Sequence, residues 1–322
     1  MAERHWRLSQ RLSGVPYLAL LVALAIVIVW LAVAAGRSNT SPAASSSTGT
    51  EELACQTLAS GKLLTSLPEA SGLALSRRTP GVLWSLNDSS APVVIALDPA
   101  GKAFSRVRIT GANVNNWEDV SVAPCGDGSC LYVADTGNGG GTQRNDVVIY
   151  RVPEPKPTDK ETSPAEVFNA AYPEGEDHEA EAVFVVDEQL FLVTKGHPSL
   201  LFRFPREMPH GSLATLERIG QVPTERFLKG TIPRRTRITD AETSPNGQWV
   251  ALRTNEALLL YRTGDLIAGN MDHLWHTDLR TLGEPQGEGV AISDDGDVYL
   301  AGEGGGDDRP GTFAHIKCAL PR

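Results

Sequence analysis

The sequence lacks three features that would assign a function at once. It has no excess of positive charge, since 29 Lys and Arg stand against 39 Asp and Glu in 322 residues. Nucleic-acid partners need dense positive charge, so that class is excluded. It has no G-x-S-x-G motif, which disfavours a serine hydrolase. After residue 36 it has no good helical periodicity of apolar residues, which favours β-structure.

Cysteine is scarce, with four residues at Cys55, Cys125, Cys130 and Cys318. An even count in an oxidising compartment suggests two disulfides, for which three pairings exist. Cys125 and Cys130 flank a four-residue turn, so their local closure is easy, and Cys55 then pairs with Cys318 by elimination. A zinc site is the alternative, but the two-residue spacing and the nearby histidines of such sites are lacking.

A single long apolar run, VPYLALLVALAIVIVWLAVAA, covers residues 15–35 without a charge. A bilayer core of about 30 Å needs roughly 20 such residues as a helix. Three arginines precede the run and only Arg37 follows it closely, so the positive-inside bias keeps residues 1–14 in the cytoplasm. The sequence therefore predicts a single-pass signal-anchor. A cleaved signal peptide is the alternative, although its apolar region would be shorter.

Either interpretation places the rest of the chain outside the cytoplasm, in the periplasm or the extracellular space. The anchor predicts a protein of the cell membrane, and cleavage predicts a secreted one. Residues 36–53 are rich in Ser, Thr, Pro, Ala and Gly with few large apolar side chains. Such a stretch cannot bury enough apolar surface to fold alone, so it is predicted to be a flexible linker. Residues 54–322 form the predicted extracytoplasmic domain.

Short β-rich runs with turn residues between them recur along residues 55–320. They group into sets of four, and the first run of each set begins near residues 71, 118, 181, 241 and 288. Four-stranded units at such intervals predict an all-β fold, a β-propeller of five blades. Six blades are the alternative if a long interval hides one, and a β-sandwich or an irregular β-solenoid are other folds for short strands.

The fifth set is one strand short, and residues 56–63 at the start of the domain can supply the missing strand. This pairing would close the ring of blades. It also predicts why Cys55 and Cys318 would meet, because a bridge between them would lock the first strand to the last.

The propeller geometry predicts where chemistry could sit. In each blade, the start of the first strand and the end of the second share one face near the central hole. Acids from several blades should converge there, and carboxylates at close range need a proton or a cation. Calcium is the candidate cofactor, because it takes oxygen ligands. The candidate metal ligands are Glu118, Glu181, Asn87 and Asp135.

Other side chains on the same face could bind a different ligand. Two bases could hold an anionic group such as phosphate or carboxylate. The candidate ligand-binding residues are Trp117, Lys195, Arg253, Glu288 and Glu303. The alternative is that these charges pair with each other in a plugged, wet channel, and that Trp117 packs between blades.

His178 is the weak catalytic candidate. It lies in the acidic stretch EGEDHEAEA near the proposed rim. Nearby carboxylates would raise its pKa and suit it to acid–base chemistry. An inert loop histidine is the alternative.

Several motifs carry a resemblance to a known family over roughly residues 70–305. They are SGLALSRRTPGVLWSLNDSSAPVVIALDPAGK, NWEDVSVAP, LYVADTGNGG, DVVIYRVPEP, AEAVFVV, FLVTKG and TDAETSPNGQWVALRT. The chain resembles bacterial secreted propellers of the NHL-repeat or phytase-like type, a largely uncharacterised family. It departs from the family at DTGNGGG, where DIGDN is usual, and this departure affects any cation ligand after Asp135.

The chain is more distantly similar to the paraoxonase–gluconolactonase propellers. That resemblance implies a calcium ion at the axis, held by Glu, Asn and Asp, and Glu118, Glu181, Asn87 and Asp135 match those residue types by position. Two functions follow as expectations. The first is a membrane-tethered module that binds a small molecule or a protein. The alternative is a calcium-dependent hydrolase of phosphate esters or lactones.

Overall fold

The computed structural model of the chain describes residues 49–89, 91–138, 144–208, 211–224, 236–306 and 309–321. The chain divides into two units, residues 1–46 and 47–322, and every described residue belongs to the second. The predicted cytoplasmic segment, the predicted anchor over residues 15–35 and most of the predicted linker lie outside these ranges. Within the described ranges, no helix has the length and apolar character that crossing a membrane would require.

The described residues form short β-strands that hydrogen-bond into five separate sheets. Two strands precede blade 1 along the chain, β1 (Gly49–Glu52) and β2 (Cys55–Leu64). Blade 1 contains β3 (Ala70–Leu75), β4 (Leu83–Asn87), β5 (Val93–Leu97) and β6 (Ala103–Arg108). Blade 2 contains β7 (Trp117–Cys125), β8 (Gly128–Asp135), β9 (Asp146–Pro153) and β10 (Glu166–Ala171).

The remaining blades follow in chain order. Blade 3 contains β11 (Ala180–Val186), β12 (Gln189–Thr194), β13 (Ser199–Arg203) and β15 (Glu217–Val222), with β14 (Leu213–Thr215) between the last two. Blade 4 contains β16 (Ile238–Thr243), β17 (Trp249–Thr254), β18 (Ala257–Arg262) and β19 (His273–Asp278). Blade 5 contains β20 (Gln286–Ile292), β21 (Asp297–Glu303) and β22 (Gly311–Cys318). Among the described residues, the helical segments are α1 (Thr263–Ile267) and two 3-10 turns, Pro173–Gly175 and Arg280–Leu282.

The five sheets close into a ring. The first strand of each blade contacts the first strand of the next, in the order β3, β7, β11, β16, β20 and back to β3. Within each blade the strands run antiparallel from the axis outward. The predicted all-β propeller of five blades is confirmed. Radial packing of this kind protects most sheet edges without closing a single barrel.

The apolar core is divided among the five interfaces between neighbouring blades. Blades 1 and 2, for example, bury Trp84 and Trp117 in one cluster, and both side chains are fully buried. Because apolar side chains fill the spaces between blades, the axis itself is left to polar side chains. This division places the acids of the first strands in a central channel.

Strand β2 completes blade 5, as predicted, because it pairs with the outer strand β22. Cys55 lies opposite Cys318 in that pairing, and the two form a disulfide. Cys125 and Cys130 form the second disulfide, across the β7–β8 hairpin. Both predicted disulfides are therefore confirmed, and the first joins the beginning of the ring to its end.

Two outer strands were not expected from the sequence. Strand β1 pairs in parallel with β19 of blade 4, and Leu53, just after it, is buried. Residues 49–53 therefore belong to the fold, and the predicted linker of residues 36–53 extends too far. Strand β14 pairs in parallel with β10 of blade 2, and the fourth strand of blade 3 is β15.

Candidate functional site

A β-bulge occurs at the same place in the first strand of every blade. In each case one residue has no partner on the second strand. These residues are Gly72, Glu118, Glu181, Thr239 and Glu288. A bulge breaks the alternation of side chains and redirects the extra one. Three of the five bulges carry glutamate, and we call Glu118, Glu181 and Glu288 the mouth layer.

The mouth layer lines a pocket of about 200 Å³ at one end of the channel, the axial pocket. Almost all of its lining is polar, and seven carboxylates face a single amine. The lining residues are Glu69, Ala70, Ser71, Asp88, Asn116, Glu118, Asn138, Glu179, Glu181, Lys195, Gln286, Glu288 and Glu303. The predicted convergence of glutamates from three blades is thus what the structure shows.

Burial and mutual repulsion hold protons on the mouth layer. Desolvation by burial raises the pKa of Glu118 to about 8, with Lys195 lowering it and Glu288 adding to the increase. Burial also raises the pKa of Glu288 to about 7, against Lys195. The pKa of Glu181 is raised first by burial and then by the charge of Glu118. Ionised carboxylates this close need a counter-charge, so the pocket favours cations.

Two carboxylate oxygens in the axial pocket are buried and have no hydrogen-bond partner, Oε2 of Glu181 and Oδ1 of Asp88. Glu181 is only 2% exposed. Burial raises the pKa of Asp88 to about 6, with further help from Glu69. A buried acceptor without a partner loses the free energy of its hydration, so most such groups in proteins are satisfied. These two oxygens therefore point to a ligand.

Amide side chains hold other carboxylates in place. Nδ2 of Asn116 donates to Oε1 of Glu118. Nε2 of Gln286 donates to Oε1 of Glu288 at 2.5 Å and to Oε2 of Glu303 at 2.6 Å. Glu303 is the more exposed of the two, and its pKa is raised chiefly by burial. The amides thus orient the acids without supplying charge.

Lys195 supplies the positive charge of the axial pocket. It follows β12, and its backbone N–H donates to the carbonyl oxygen of Glu179 at 2.9 Å. Its Nζ donates to Oε1 of Glu181. Burial alone would lower the pKa of Lys195, but the charges of Glu181 and Glu288 outweigh burial and raise it. The side chain is therefore a permanent ammonium, not a base.

One residue deeper in the channel, Asp119 and Asp240 face each other, and we call them the inner pair. They come from blades 2 and 4 and are hydrogen-bonded to each other. Asp119 accepts from the N–H of Val183 in blade 3 at 2.7 Å, and Asp240 from Leu73 in blade 1 at 3.2 Å. Asp240 also accepts from Val290 in blade 5. The inner pair therefore ties all five blades together around the axis.

A bound proton, and not a ligand, neutralises part of the negative charge of the inner pair. Burial raises the pKa of Asp119 well above its usual range, and the charge of Asp240 adds to this increase. Burial raises the pKa of Asp240 to about 7. Two carboxylates that touch in a dry environment cannot both ionise, so they hold a proton between them.

The far end of the channel is closed. Glu242 accepts from Oγ of Ser121 at 2.6 Å. Beyond it, Arg77 donates to the carbonyl oxygens of Val122 at 3.1 Å and Pro245 at 2.7 Å. These contacts fill the far end with polar groups. At the mouth, where mutual pairing of charges was the predicted alternative, Lys195 pairs with Glu181.

Three predicted site residues lie outside the axial pocket. Asn87 turns away, accepting from the N–H of Glu69 at 3.2 Å. Asp135 forms an ion pair with Arg144 at 2.6 Å. Arg253 is fully buried and donates to the carbonyl oxygen of Gly289 at 2.6 Å, and to Glu284. These positions correct the placement of all three, because each side chain is already used by a neighbouring segment.

Two further candidates lie elsewhere. Trp117 is buried between blades 1 and 2, and its Nε1 donates to the carbonyl oxygen of Asn113 at 2.8 Å. His178 stands edge-on to Tyr172, with 4.8 Å between ring centroids, and its Nε2 lies 2.8 Å from Oε2 of Glu176. Neither residue lines the axial pocket. The packing interpretation of Trp117 and the inert interpretation of His178 describe their surroundings better.

The predicted set of calcium ligands is therefore not assembled, since Glu118 and Glu181 reach the axial pocket but Asn87 and Asp135 do not. Among the residues that the structure describes, no three His, Cys, Asp or Glu side chains are spaced to hold one metal ion together. The important residue that the sequence reasoning missed is Asp88, next to Asn87. The adjacent pair Asn87-Asp88 at the end of β4 was the signal in the sequence, and the prediction chose the wrong residue of the two.

Comparisons with known proteins give distant likenesses only. No protein-family model and no curated protein matches the chain. A PQQ-bound aldose sugar dehydrogenase from Streptomyces coelicolor is 10% identical, with a TM-score of 0.49 over 83% of this chain and 99% of that chain.

Two other solved structures are similarly distant. A gluconolactonase from Xanthomonas campestris is 10% identical, with a TM-score of 0.44 over 83% of this chain and 90% of that chain. A calcium-binding regucalcin from Agrobacterium tumefaciens is 15% identical, with a TM-score of 0.39 over 84% and 97%. These likenesses are too distant to assign a family or an activity to the chain, so the resemblance to NHL-like or phytase-like proteins stays a prediction.

Proposed function

We propose that the axial pocket binds a divalent cation and that the chain is a cation-dependent hydrolase of phosphate esters or lactones. One observation carries the proposal. Buried oxygens of Glu181 and Asp88, from blades 3 and 1, have no hydrogen-bond partner and line the same pocket. A folded chain gains nothing from burying two unsatisfied acceptors, so a ligand with positive charge is the simplest explanation for them.

The donor set fits calcium by its chemistry. Calcium takes six to eight oxygen ligands from carboxylates, amides, carbonyls and water. Glu181 and Asp88, with the unpartnered oxygens, would hold it together with Glu118 and Glu288. Bound there, calcium would act as a Lewis acid on an ester or lactone oxygen. Since the described side chains are not spaced for a metal as they stand, binding requires these carboxylates to adjust.

The chain's own residues set what else the pocket can do. Ser71 is the one hydroxyl among the described lining residues, and its Oγ donates to the carbonyl oxygen of Glu118. It is therefore not a free nucleophile, and water is the nucleophile that the pocket offers. Glu303, half-exposed at the rim and oriented by Gln286, can accept a proton from that water.

Thermal melting of the full-length chain in detergent tests cation binding. A cation that binds only the folded state raises the melting temperature as its concentration increases. We expect a rise with calcium after removal of metals by EDTA, and its loss in Glu181→Gln. Glu166→Gln is the matched control, because Glu166 pairs with Arg151 on an outer strand. An equal rise in wild type and Glu181→Gln would contradict the proposed site.

Hydrolysis is tested on the same samples with 4-nitrophenyl phosphate and with a simple lactone. We expect turnover in calcium that EDTA and Glu181→Gln abolish. Calcium binding without turnover would instead favour the other candidate function, a module that binds a small molecule or a protein. The engaged hydroxyl of Ser71, the one hydroxyl among the described lining residues, is the observation that favours that candidate.

We also propose that the propeller is held outside the cytoplasm by the apolar run at residues 15–35. The support is the composition of that run and the two disulfides, since disulfides persist in oxidising compartments. Membrane fractionation of cells that express the full chain, with protease added from outside, tests this. Recovery of the propeller as a soluble, protease-protected protein would contradict it.

A further inference from the structure

Lys195 occupies the place where a cation would be expected in the axial pocket. Its Nζ donates to Oε1 of Glu181, on the same carboxylate whose Oε2 has no partner. The charges of Glu288 and Glu118 also act on it. The ammonium therefore interacts with three of the four carboxylates that the proposed function assigns to the cation.

The backbone of Lys195 is fixed while its side chain can leave the pocket. Its N–H donates to the carbonyl oxygen of Glu179, and the preceding residue, Thr194, is paired with Ala180 in the sheet. The side chain is unbranched and 22% exposed, whereas that of Glu181 is 3% exposed. A flexible four-carbon stem with access to solvent can move its ammonium outward without any change in the blade.

A charge that is attached to the chain competes with any free cation for the same carboxylates. A monovalent ion offers no more charge than the ammonium that it would displace, and it lacks the advantage of attachment. A divalent ion carries twice the charge of the ammonium and coordinates more oxygen atoms than the ammonium can contact. The attached ammonium should therefore weaken the binding of all cations, and it should exclude monovalent ions most effectively.

We propose that Lys195 is a built-in counter-ion that must be displaced when a divalent cation binds, and that it selects divalent over monovalent cations. The inference rests on the proposed function, because it concerns the same pocket. It adds a regulatory residue whose role is opposite to that of a ligand. It also explains why the carboxylates are spaced apart, since they surround an ammonium instead of a metal.

Calorimetric titration of calcium chloride into the full-length chain, with and without sodium chloride, tests this role. In Lys195→Met, which keeps the stem and removes the charge, we expect calcium to bind at least about tenfold more tightly than in wild type. We also expect sodium to compete with calcium in the variant far more than in wild type. Lys317→Met is the matched control, because Lys317 bonds Asp295 and Asp297 at 2.9 Å away from the pocket.

The outcomes separate this inference from the proposed function. Calcium binding by Lys195→Met but not by wild type would overturn both the displacement of Lys195 by a divalent cation and the cation dependence of the natural protein. Equal or weaker binding by Lys195→Met would overturn the counter-ion and leave the proposed function standing. No binding by either protein would overturn both. Lys195→Gln replaces the methionine variant if the latter does not show the wild-type melting transition.

Discussion

The mouth layer and the inner pair lie one residue apart in depth along the channel, yet their carboxylates have different surroundings. Glu118 and Asp119 are consecutive, and both are buried in the channel. Asp119 accepts from backbone N–H groups of Val120 and Val183. In the mouth layer, by contrast, Glu181 keeps an oxygen without a partner. The difference teaches that buried acids can serve architecture or binding, and that a buried oxygen left without a partner points to binding.

The bulge in each first strand produces this difference. An ordinary strand would send only one of two consecutive side chains to the axis. The bulge sends both, so that Glu118 reaches the axial pocket while Asp119 reaches the blades around it. In blade 2, this one local irregularity therefore places a residue of the mouth layer directly above a residue of the inner pair.

The largest effect should come from breaking the inner pair. Asp240→Ala removes the acceptor of three backbone N–H groups, those of Leu73, Ala241 and Val290. We expect a loss of about 3–5 kcal/mol in the free energy of unfolding, because buried donors are left without partners. Glu181→Gln in the mouth layer should cost less, because the loss of its pairing with Lys195 is offset by relief of the repulsion from Glu118 and Glu288. Urea denaturation measures the free energy of unfolding of both variants. Equal losses would contradict the distinction between the inner pair and the mouth layer.

The dependence of stability on pH should be of intermediate size and of unusual sign. The folded pKa values of Glu118 and Glu288, about 8 and about 7, lie above their unfolded values. The folded state then binds more protons than the unfolded state. The stabilisation from these two groups is therefore complete below about pH 4, and it is lost as the pH rises towards 8. Without divalent cations, we expect stability to decrease continuously between pH 5 and 8.

Calcium should reverse this trend, since it favours the ionised carboxylates that repel each other in its absence. Urea denaturation at several pH values, with EDTA or with calcium, measures both slopes. The double variant Glu118→Gln, Glu288→Gln should reduce the slope in EDTA, and the raised pKa values of Glu181, Asp119 and Asp240 should preserve the rest of it. A stability that rises with pH in EDTA would show that the mouth layer is not the source of the titration.

The smallest effect should come from His178, which lies outside both layers. His178→Ala removes the contacts with Tyr172 and Glu176 but no group of the axial pocket. We expect calcium affinity and turnover to stay within about twofold of wild type, because the histidine touches neither the cation ligands nor Glu303. Calorimetry and the hydrolysis assay check this, and a large loss of turnover at unchanged calcium affinity would return His178 to the site.

Much of the fold could be predicted from the sequence because blades are local. Short apolar runs and turns define each sheet, and the missing strand of the fifth set indicated that residues near Cys55 return to Cys318. The outer strands β1 and β14 could not be predicted in this way. Each is short and pairs with a distant part of the chain, so no local pattern marks it.

The site could be predicted at the level of strands but not of single side chains. Glu118, Glu181 and Glu288 follow from the starts of first strands. Arg253 sits at an equivalent end of a second strand, yet it enters blade 5 because Gly287 leaves room for its guanidinium. A Cβ atom there would lie 2.5 Å from Nη2. The ion pair that occupies Asp135 depends on Arg144 in the following loop, which strand positions do not reveal.

A crystal structure of the full-length chain with calcium, with anomalous diffraction data, tests the central claim most directly. The account predicts one strong peak in the axial pocket, at about 2.3–2.6 Å from Oε2 of Glu181 and Oδ1 of Asp88, with Nζ of Lys195 displaced towards solvent. A peak elsewhere, or an axial pocket without calcium in which Lys195 still contacts Glu181, would contradict it.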